Sequence, residues 1–335
     1  MSLASAAETI PRLPELAGRR VLVVGDVVLD RYVVGTASRL SREAPVPVVV
    51  HEESFALPGS AANPSLNIQA LGSQALQVSA VGDDPAGTEL VGLLAAAGVD
   101  TAGIVRLPGR PTNIKQRILA RGSLRYPQQL VRIDWLDQEP IPEDQLRILA
   151  DRVAARSGEV AATLLSDYQG GTLAGPVLQT CLEAAQARGV PVCVDAQDNL
   201  WQYRGVSCVK CNRDEASRAL GVSLRTTDDF EAATREIMSE VSASVVAITR
   251  GPEGMSLRHR SVGYMEFPAP NRTEVFDVVG AGDTVIAIMS LGMIAGWHPR
   301  LMATVAQLGA GLVIQKLGNA TPSLQELETA ARRWL

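Results

Sequence analysis

From residue 144 onward the chain alternates short apolar runs with helix-length stretches, and that rhythm admits few folds. Residues 161–166, 191–195, 206–210 and 245–249 read as strands. Residues 146–155, 173–188, 213–220 and 229–241 read as the helices between them. Closer to the N-terminus, VLVVG at 21–25 is apolar at every position but its last, as a parallel strand covered on both faces must be. Residues 61–71 and 85–97 read as helices stopped by Gly72 and Gly98, with a strand at 76–81 between them. Alternation of this length implies a parallel sheet with helices on both sides, an α/β fold in three layers. Residues 280–295, 299–317 and 322–334 complete it as a helical end, after a hairpin at 254–258 and 263–267.

Two stretches have a different texture. VPVVVHEESF at 46–55 is β-branched and then polar, and 113–134 alternates around Arg121-Gly122-Ser123. Half-exposed antiparallel strands fit both. We expect them to meet as a small β lid, formed by about 33–57 and 104–134, on a single domain of residues 1–335. The first twenty residues read as a frayed segment or a helix before the first strand.

Composition narrows the function. With 335 residues the chain has ample material for a large core. Net charge is −5 and aromatics are 4%, which does not fit a nucleic-acid surface. No apolar run reaches the roughly 18 residues of a membrane span. The N-terminus lacks a basic region followed by an apolar block, so the expected location is the cytoplasm. Of the four cysteines, Cys208 and Cys211 form a lone CxxC with no second pair nearby. Reduced thiols in or beside a strand are expected there, rather than a redox or zinc site.

The chemistry concentrates at glycine turns. Asp277-Val-Val-Gly280-Ala281-Gly282-Asp283-Thr284 runs directly into an apolar helix. Its glycines permit a tight turn and close ligand approach, and a first helical turn offers free N–H groups to phosphate oxygens. Asp283 stands where a base would take a proton from an alcohol. The same letters also spell an ordinary turn with an acidic cap. Pro58-Gly59-Ser60-Ala61-Ala62-Asn63 opens a second helix, with Asn63 able to donate and accept. Asp26 and Asp30 follow the first strand, at the edge where open α/β sheets bind ligands. Asn212 and Glu215, three apart after a strand, suit a hydrated Mg²⁺ and equally a capping box. No GxxxxGK[ST] loop and no GxGxxG fingerprint is present, which excludes a Walker-type phosphate loop and argues against a dehydrogenase.

These motifs together resemble the PfkB (ribokinase-like) carbohydrate kinases over nearly the whole chain. GDVVLDRY (25–32), PGSAAN (58–63), NRDE (212–215) and DVVGAGDTVIA (277–287) carry the resemblance. SRLSREAPVPVV (38–49), QQLVRIDW (128–135) and SDYQGG (166–171) are most similar to the heptose-7-phosphate kinases of that family. The resemblance implies a ribokinase-like three-layer α/β/α sandwich with a β-sheet lid. It implies a kinase module without an adenylyltransferase segment, using ATP and Mg²⁺, with K⁺ a further candidate, and phosphorylating a sugar, foremost the C1 hydroxyl of heptose 7-phosphate. By position, Asp283 resembles the catalytic base and Gly280, Ala281 and Gly282 the anion hole. Asp30, Gly59, Ser60, Asn63 and, less directly, Asp26 match the sugar side. Asn212 and Glu215 match the element near Mg²⁺. Thr249, Gly251 and Gly254 of ITRGPEG match the nucleotide border, and Gly309 a helix packed near adenine. Lids of this kind pair, which implies a homodimer clasped through the lid.

The chain departs from the heptose kinases at three points. Ser60 replaces the second glycine of the sugar loop. Gln169-Gly170 replaces Gly-Lys in SDYGKG, and Asp195-Ala196-Gln197 lacks the expected lysine. Two cations for phosphate are therefore missing, and Lys115, Arg117, Arg125 and Arg132 are the candidates to compensate from the lid. The losses keep two other readings open: a kinase for an unphosphorylated sugar or nucleoside, and a non-catalytic sugar or nucleotide sensor.

Overall fold

In the computed structural model, which describes residues 2–122, 127–270 and 277–335, the run VLVVG is a strand covered on both sides. Val21 and Val23 join one hydrophobic core, and Leu22 and Val24 the other, as alternation along a strand requires. Before this strand, β1 (Arg20–Gly25), lie α1 (Ala6–Thr9) and a 3₁₀ turn at Ile10–Leu16 that buries Leu13 and Leu16. The N-terminus is therefore helical and docked. The chain continues through β2 (Val27–Leu40), β3 (Pro47–Ser60), α2 (Ala62–Ala70), β4 (Gln74–Gly82), α3 (Pro85–Ala96) and β5 (Asp100–Leu107). Next come β6 (Ile114–Arg121), β7 (Gln128–Trp135), α4 (Glu143–Ser157), β8 (Ala162–Asp167), α5 (Pro176–Arg188) and β9 (Val192–Ala196). Then follow β10 (Cys208–Asn212), α6 (Arg213–Leu220), α7 (Thr227–Val241), β11 (Val245–Thr249) and the hairpin β12 (Met255–His259) and β13 (Gly263–Phe267). Helices α8 (Ala281–Ile294), α9 (Pro299–Val313) and α10 (Leu324–Trp334) close the chain.

The main sheet has nine strands in the order β13-β12-β11-β10-β9-β8-β1-β4-β5. Every pairing from β11 to β5 is parallel, and the two pairings at the other edge, β11–β12 and β12–β13, are antiparallel. One face packs on α2, α8, α9 and α10, and the other on α4, α5 and α7. The order reverses between β1 and β8, which makes a crevice at their carboxyl ends.

A second sheet, β3-β2-β6-β7, is the lid. It is built from residues 27–60 and 114–135 among those described, so the boundary expected near 104 falls inside β5, which pairs with β4 in the main sheet. The lid also begins at β2 rather than near 33: β2 continues almost without a break from β1 and buries Asp30, so its sequence does not mark where the main sheet ends.

All four cysteines are buried free thiols. Cys208 and Cys211 occupy opposite faces of β10, so the CxxC pair cannot close on one ligand. Among the described residues no helix is long and apolar enough to cross a membrane.

Candidate active site

The crevice between β1 and β8 collects most of the residues singled out by sequence, though not all in the expected roles. Asp26 ends up as an anchor. Its carboxylate accepts from the backbone N–H of Tyr168 (3.1 Å), Gly170 (2.8 Å) and Thr172 (2.9 Å), and so holds the loop after β8. Three of the roughly four lone-pair sites of this carboxylate are thus filled from the loop, which leaves Asp26 at most one for a further contact. The same packing bears on position 170. A Cβ on Gly170 would lie 2.8 Å from the Asp26 carboxyl carbon, so a side chain there would displace the Asp26 carboxylate. The preceding Gln169 adopts φ +61, and Ser60 φ +55. Both stand where the resembled kinases carry glycine, and both keep the left-handed backbone that glycine adopts freely.

Asp283 lies at the start of α8, buried to 4% exposure. The turn before it needs Gly280, which has φ +78 and whose Cβ would meet the Asn63 amide nitrogen at 2.3 Å. That nitrogen donates to Asp283 Oδ2 at 3.0 Å, and the Tyr168 hydroxyl donates to Asp283 Oδ1 at 2.9 Å. Asn63 is itself held by Asn67, whose amide donates to the Asn63 carbonyl and side-chain oxygens, and whose own oxygen accepts from Thr284 at 2.8 Å. Helices α2 and α8 thus share one polar network around a single carboxylate. Burial, and then the nearby Asp195 charge, push the Asp283 carboxyl up to about 7, against the pull of Asn63, Lys210 and Tyr168. A base poised there is suited to taking an alcohol proton at neutral pH. Beside it, the N–H groups of Gly282 and Asp283 bond to nothing among the described residues, as expected in a first helical turn.

Toward the lid, Asp30 accepts from Arg117 Nη1 at 2.6 Å and from Asn319 Nδ2 at 2.6 Å. Gly59 packs against it so closely that a Cβ would lie 2.1 Å from Asp30 Oδ2. Of the lid cations, Arg117 is therefore committed to Asp30. Arg132 is exposed and bound through both Nε and Nη2 to Asp134 at 2.9 Å. Lys115 makes no ion pair among the described residues. Its ammonium lies 5.5 Å from the centre of the Tyr168 ring, and burial lowers its pKa from the usual value. Arg125 lies outside the described residues.

On the other side of Asp283 a cavity of about 650 Å³ opens between the end of β11, the start of α8 and α9. Thr249, Gly251, Gly254, Ala281 and Gly282 line it, with Gln307, Ala310 and Gly311 on α9. Gly254 has φ +97 and would place a Cβ 2.0 Å from the Phe267 carbonyl oxygen. Gly309 does not face this cavity. Its missing side chain makes room for Ile288 and Thr284, where a Cβ would come within 2.4 and 2.9 Å, so it serves the contact between α8 and α9. Of this helix it is Gln307, Ala310 and Gly311 that line the cavity.

Asn212 and Glu215 form a reciprocal capping box at the start of α6: Glu215 N–H donates to Asn212 Oδ1, and Asn212 N–H to Glu215 Oε2. Burial and Asp195 raise the Glu215 pKa against the pull of Lys210. Its other carboxylate oxygen receives no hydrogen bond among the described residues. No cluster of three His, Cys, Asp or Glu side chains poised for a metal occurs among them.

Sequence reasoning did not single out Tyr168, Asp195, Lys210 or Asn319. For Lys210 a signal existed: it is the one charged residue in the apolar strand CVKC.

The profile of the pfkB family carbohydrate kinase matches residues 19–326. The chain is 41% identical over 324 residues to the bifunctional protein HldE of Pseudomonas aeruginosa (strain UCBPP-PA14), covering 96% of this chain and 65% of that protein. It therefore spans just under two thirds of that relative's length. Phosphofructokinase-2 of Escherichia coli in complex with potassium is similar in structure, with a TM-score of 0.76, 19% identity, and 95% and 99% of the two chains covered. Arabidopsis thaliana ribokinase complexed with ribose and ATP gives a TM-score of 0.69 at 19% identity, over 94% of this chain and 99% of that one. At such identities the structural likeness concerns the fold.

Proposed function

This chain belongs to the pfkB family of carbohydrate kinases, and from that premise we propose that it transfers the γ-phosphoryl group of ATP to the C1 hydroxyl of heptose 7-phosphate. The observation that carries the transfer is the place of Asp283. Its buried carboxyl lies between the Asp30–Gly59–Asn63 crevice and the nucleotide-sized cavity, with unbonded N–H groups beside it.

In the reaction the sugar oxygen attacks the γ-phosphorus in line, the bond from that phosphorus to the ADP oxygen breaks, and the hydroxyl proton passes to Asp283. Its two hydrogen bonds leave lone pairs free for that proton. The N–H groups of Gly282 and Asp283 hold charge on the transferring group. Magnesium, held through water by Asn212 and Glu215, would neutralise triphosphate charge. Potassium is a further candidate activator. Closure of the lid would exclude water.

Heptose 7-phosphate is favoured by SREAPVPV and the lid motifs, and by Lys115, the lid cation left without an ion pair. A phosphate needs such a charge-assisted contact. An unphosphorylated sugar or nucleoside is the second reading, favoured by the closed packing at Gly170 and by Gln197. The test is ADP release with Mg-ATP across heptose 7-phosphate, fructose 6-phosphate, ribose, fructose, adenosine and inosine, in K⁺ and in Na⁺. Preference for heptose 7-phosphate is expected. Preference for an unphosphorylated acceptor would transfer the proposal to the second reading, and no turnover on any would favour a sensor. A homodimer through the lid is part of the proposal, because β7 exposes Leu130, Val131, Ile133 and Trp135; light scattering of the purified chain tests it.

The rate should also depend on pH in one direction. Asp283 acts only when ionised and its carboxyl is pushed up to about 7. We expect kcat/KM for the acceptor to rise with pH through a limb near 7 and to fall about tenfold per unit below it. A flat profile between pH 5.5 and 8 would contradict the assignment of the base.

A further inference from the structure

Directly beneath the glycine turn lies a buried ion pair that the reaction as written leaves unused. The register of β1, β8, β9 and β10 sets Gly25, Ser166, Asp195 and Lys210 in one row across the sheet. Lys210 Nζ donates to both oxygens of Asp195 at 2.8 Å, and the two side chains are 6% and 7% exposed. The Ser166 hydroxyl in the same row is buried and has no hydrogen-bond partner among the described residues. Above the row is the first turn of α8. A Cβ on Gly282 would lie 2.6 Å from Lys210 Nζ, so the ammonium rests against the bare α-carbon of that glycine.

A lysine in that place is the wrong charge for a helix start. The N-terminal end of a helix carries partial positive charge and stabilises anions, not cations. Asp195 compensates it. Burial alone would lower the Lys210 pKa, but Asp195 and then Glu215 raise it above the usual value, so the side chain is held charged. The site therefore gathers an ammonium, the positive end of a helix and unbonded N–H groups around one point. A group bearing several negative charges would satisfy all of them together. Gly282 is the residue that lets the ammonium reach that point from below. Gly170 and Gln197 have meanwhile removed the two cations expected nearby.

We propose that Lys210 is a catalytic residue of this chain, kept ready by Asp195 under Gly282 to contact the phosphoryl group in transfer and to replace the cations missing at 170 and 197. The proposal rests on the kinase reading above. Lys210 takes no proton and forms no bond in the step. It stabilises the charge that passes from the γ-phosphoryl oxygens to the ADP leaving group, while Asp283 receives the proton.

The experiment compares wild type with Lys210→Met and Lys210→Arg. Lys210→Met alone strands the Asp195 carboxylate, so the double variant Lys210→Met/Asp195→Asn, which removes both charges, is made beside it. Three readouts are taken: kcat and KM with the preferred acceptor, ADP affinity by calorimetry, and trapping of ADP with aluminium fluoride and acceptor, which mimics the group in transfer. In the folded methionine variants kcat is expected to fall about 10²–10³-fold, ADP affinity to stay within about threefold, and the fluoride complex to be lost. Arginine should restore part of both kcat and trapping. A folded methionine variant or double variant that keeps wild-type kcat and trapping overturns the proposal while leaving the kinase reading intact. Equal loss of ADP affinity and kcat also overturns it, because that pattern belongs to a structural role. Absence of transfer by the wild type to any acceptor, with no fluoride complex, overturns the kinase reading and this proposal with it.

Discussion

Asp283→Asn should lower kcat by about 10³-fold, within the roughly 10²–10⁴ that a positioned general base supplies, while ADP affinity stays close to wild type. The substitution is nearly isosteric, and the surrounding network can accept it. Asn63 can still donate to the amide oxygen, and the Tyr168 hydroxyl, a donor to the carboxylate at 2.9 Å, can turn to accept from the new amide. Folding should therefore survive. Stability at pH 8 should even hold or rise. The folded protein binds the Asp283 proton more tightly than the unfolded chain does, since the pKa moves from 3.8 to about 7. That proton-linked stability is present below the unfolded value and is lost as pH rises through the folded one, so above pH 7 the wild-type carboxylate is a liability the amide lacks. Single-turnover phosphoryl transfer and denaturant unfolding, measured on one preparation, check both statements. Turnover within threefold of wild type would remove Asp283 from the mechanism.

The largest expected loss of stability lies across the crevice. Arg117→Met should cost about 3–5 kcal/mol, the range for stripping one partner from a buried ion pair. Arg117 and Asp30 have side chains only 7% and 4% exposed, so the abandoned carboxylate cannot reach bulk water. Asn319 would remain its one hydrogen-bond donor among the described residues. The guanidinium also lies 5.3 Å from the centre of the Tyr32 ring, which stacks on Phe55 at 4.8 Å, so the aromatic contact at the base of the lid loosens too. Acceptor KM should rise with the loss, because Asp30 and the lid are held by the same guanidinium. Urea unfolding of Arg117→Met and of Arg117→Met/Asp30→Asn decides it. The double variant should recover much of the loss, since it leaves no uncompensated charge. A single-variant loss under about 1 kcal/mol would mean that the pair is effectively solvated.

Much of the architecture was legible because backbone hydrogen bonding and apolar burial impose short-range periods. Residues 213–220 and 245–249 form the helix and strand that their patterns predict, and most other elements agree within a few residues. Boundaries were lost where tertiary partners override local pattern. β2 buries a carboxylate that its own sequence leaves unmatched, because Asp30 is paired with Arg117, eighty-seven positions away. β5 resembles lid sequence, yet it pairs with β4.

The motifs likewise marked the glycine turns, and glycine was required at them for local reasons: Gly280 needs positive φ and Gly254 has no room for a Cβ. What motif reading could not assign was the division of labour among carboxylates. Asp26 and Asp30 look alike after one strand. Asp26 is consumed by backbone amides of a loop 142 to 146 residues later, and Asp30 by an arginine and an asparagine.

The sequence by itself determined the α/β class, the positions of the glycine turns and the family of chemistry, because each depends on steric and hydrogen-bonding demands within a few residues. Only the tertiary structure decided which charges meet. It placed Lys210 under Gly282 and Tyr168 on Asp283, and it turned Gly309 away from the cavity between β11, α8 and α9. Charge pairing and desolvation act through space between strands and helices far apart in the chain, so no local pattern encodes them.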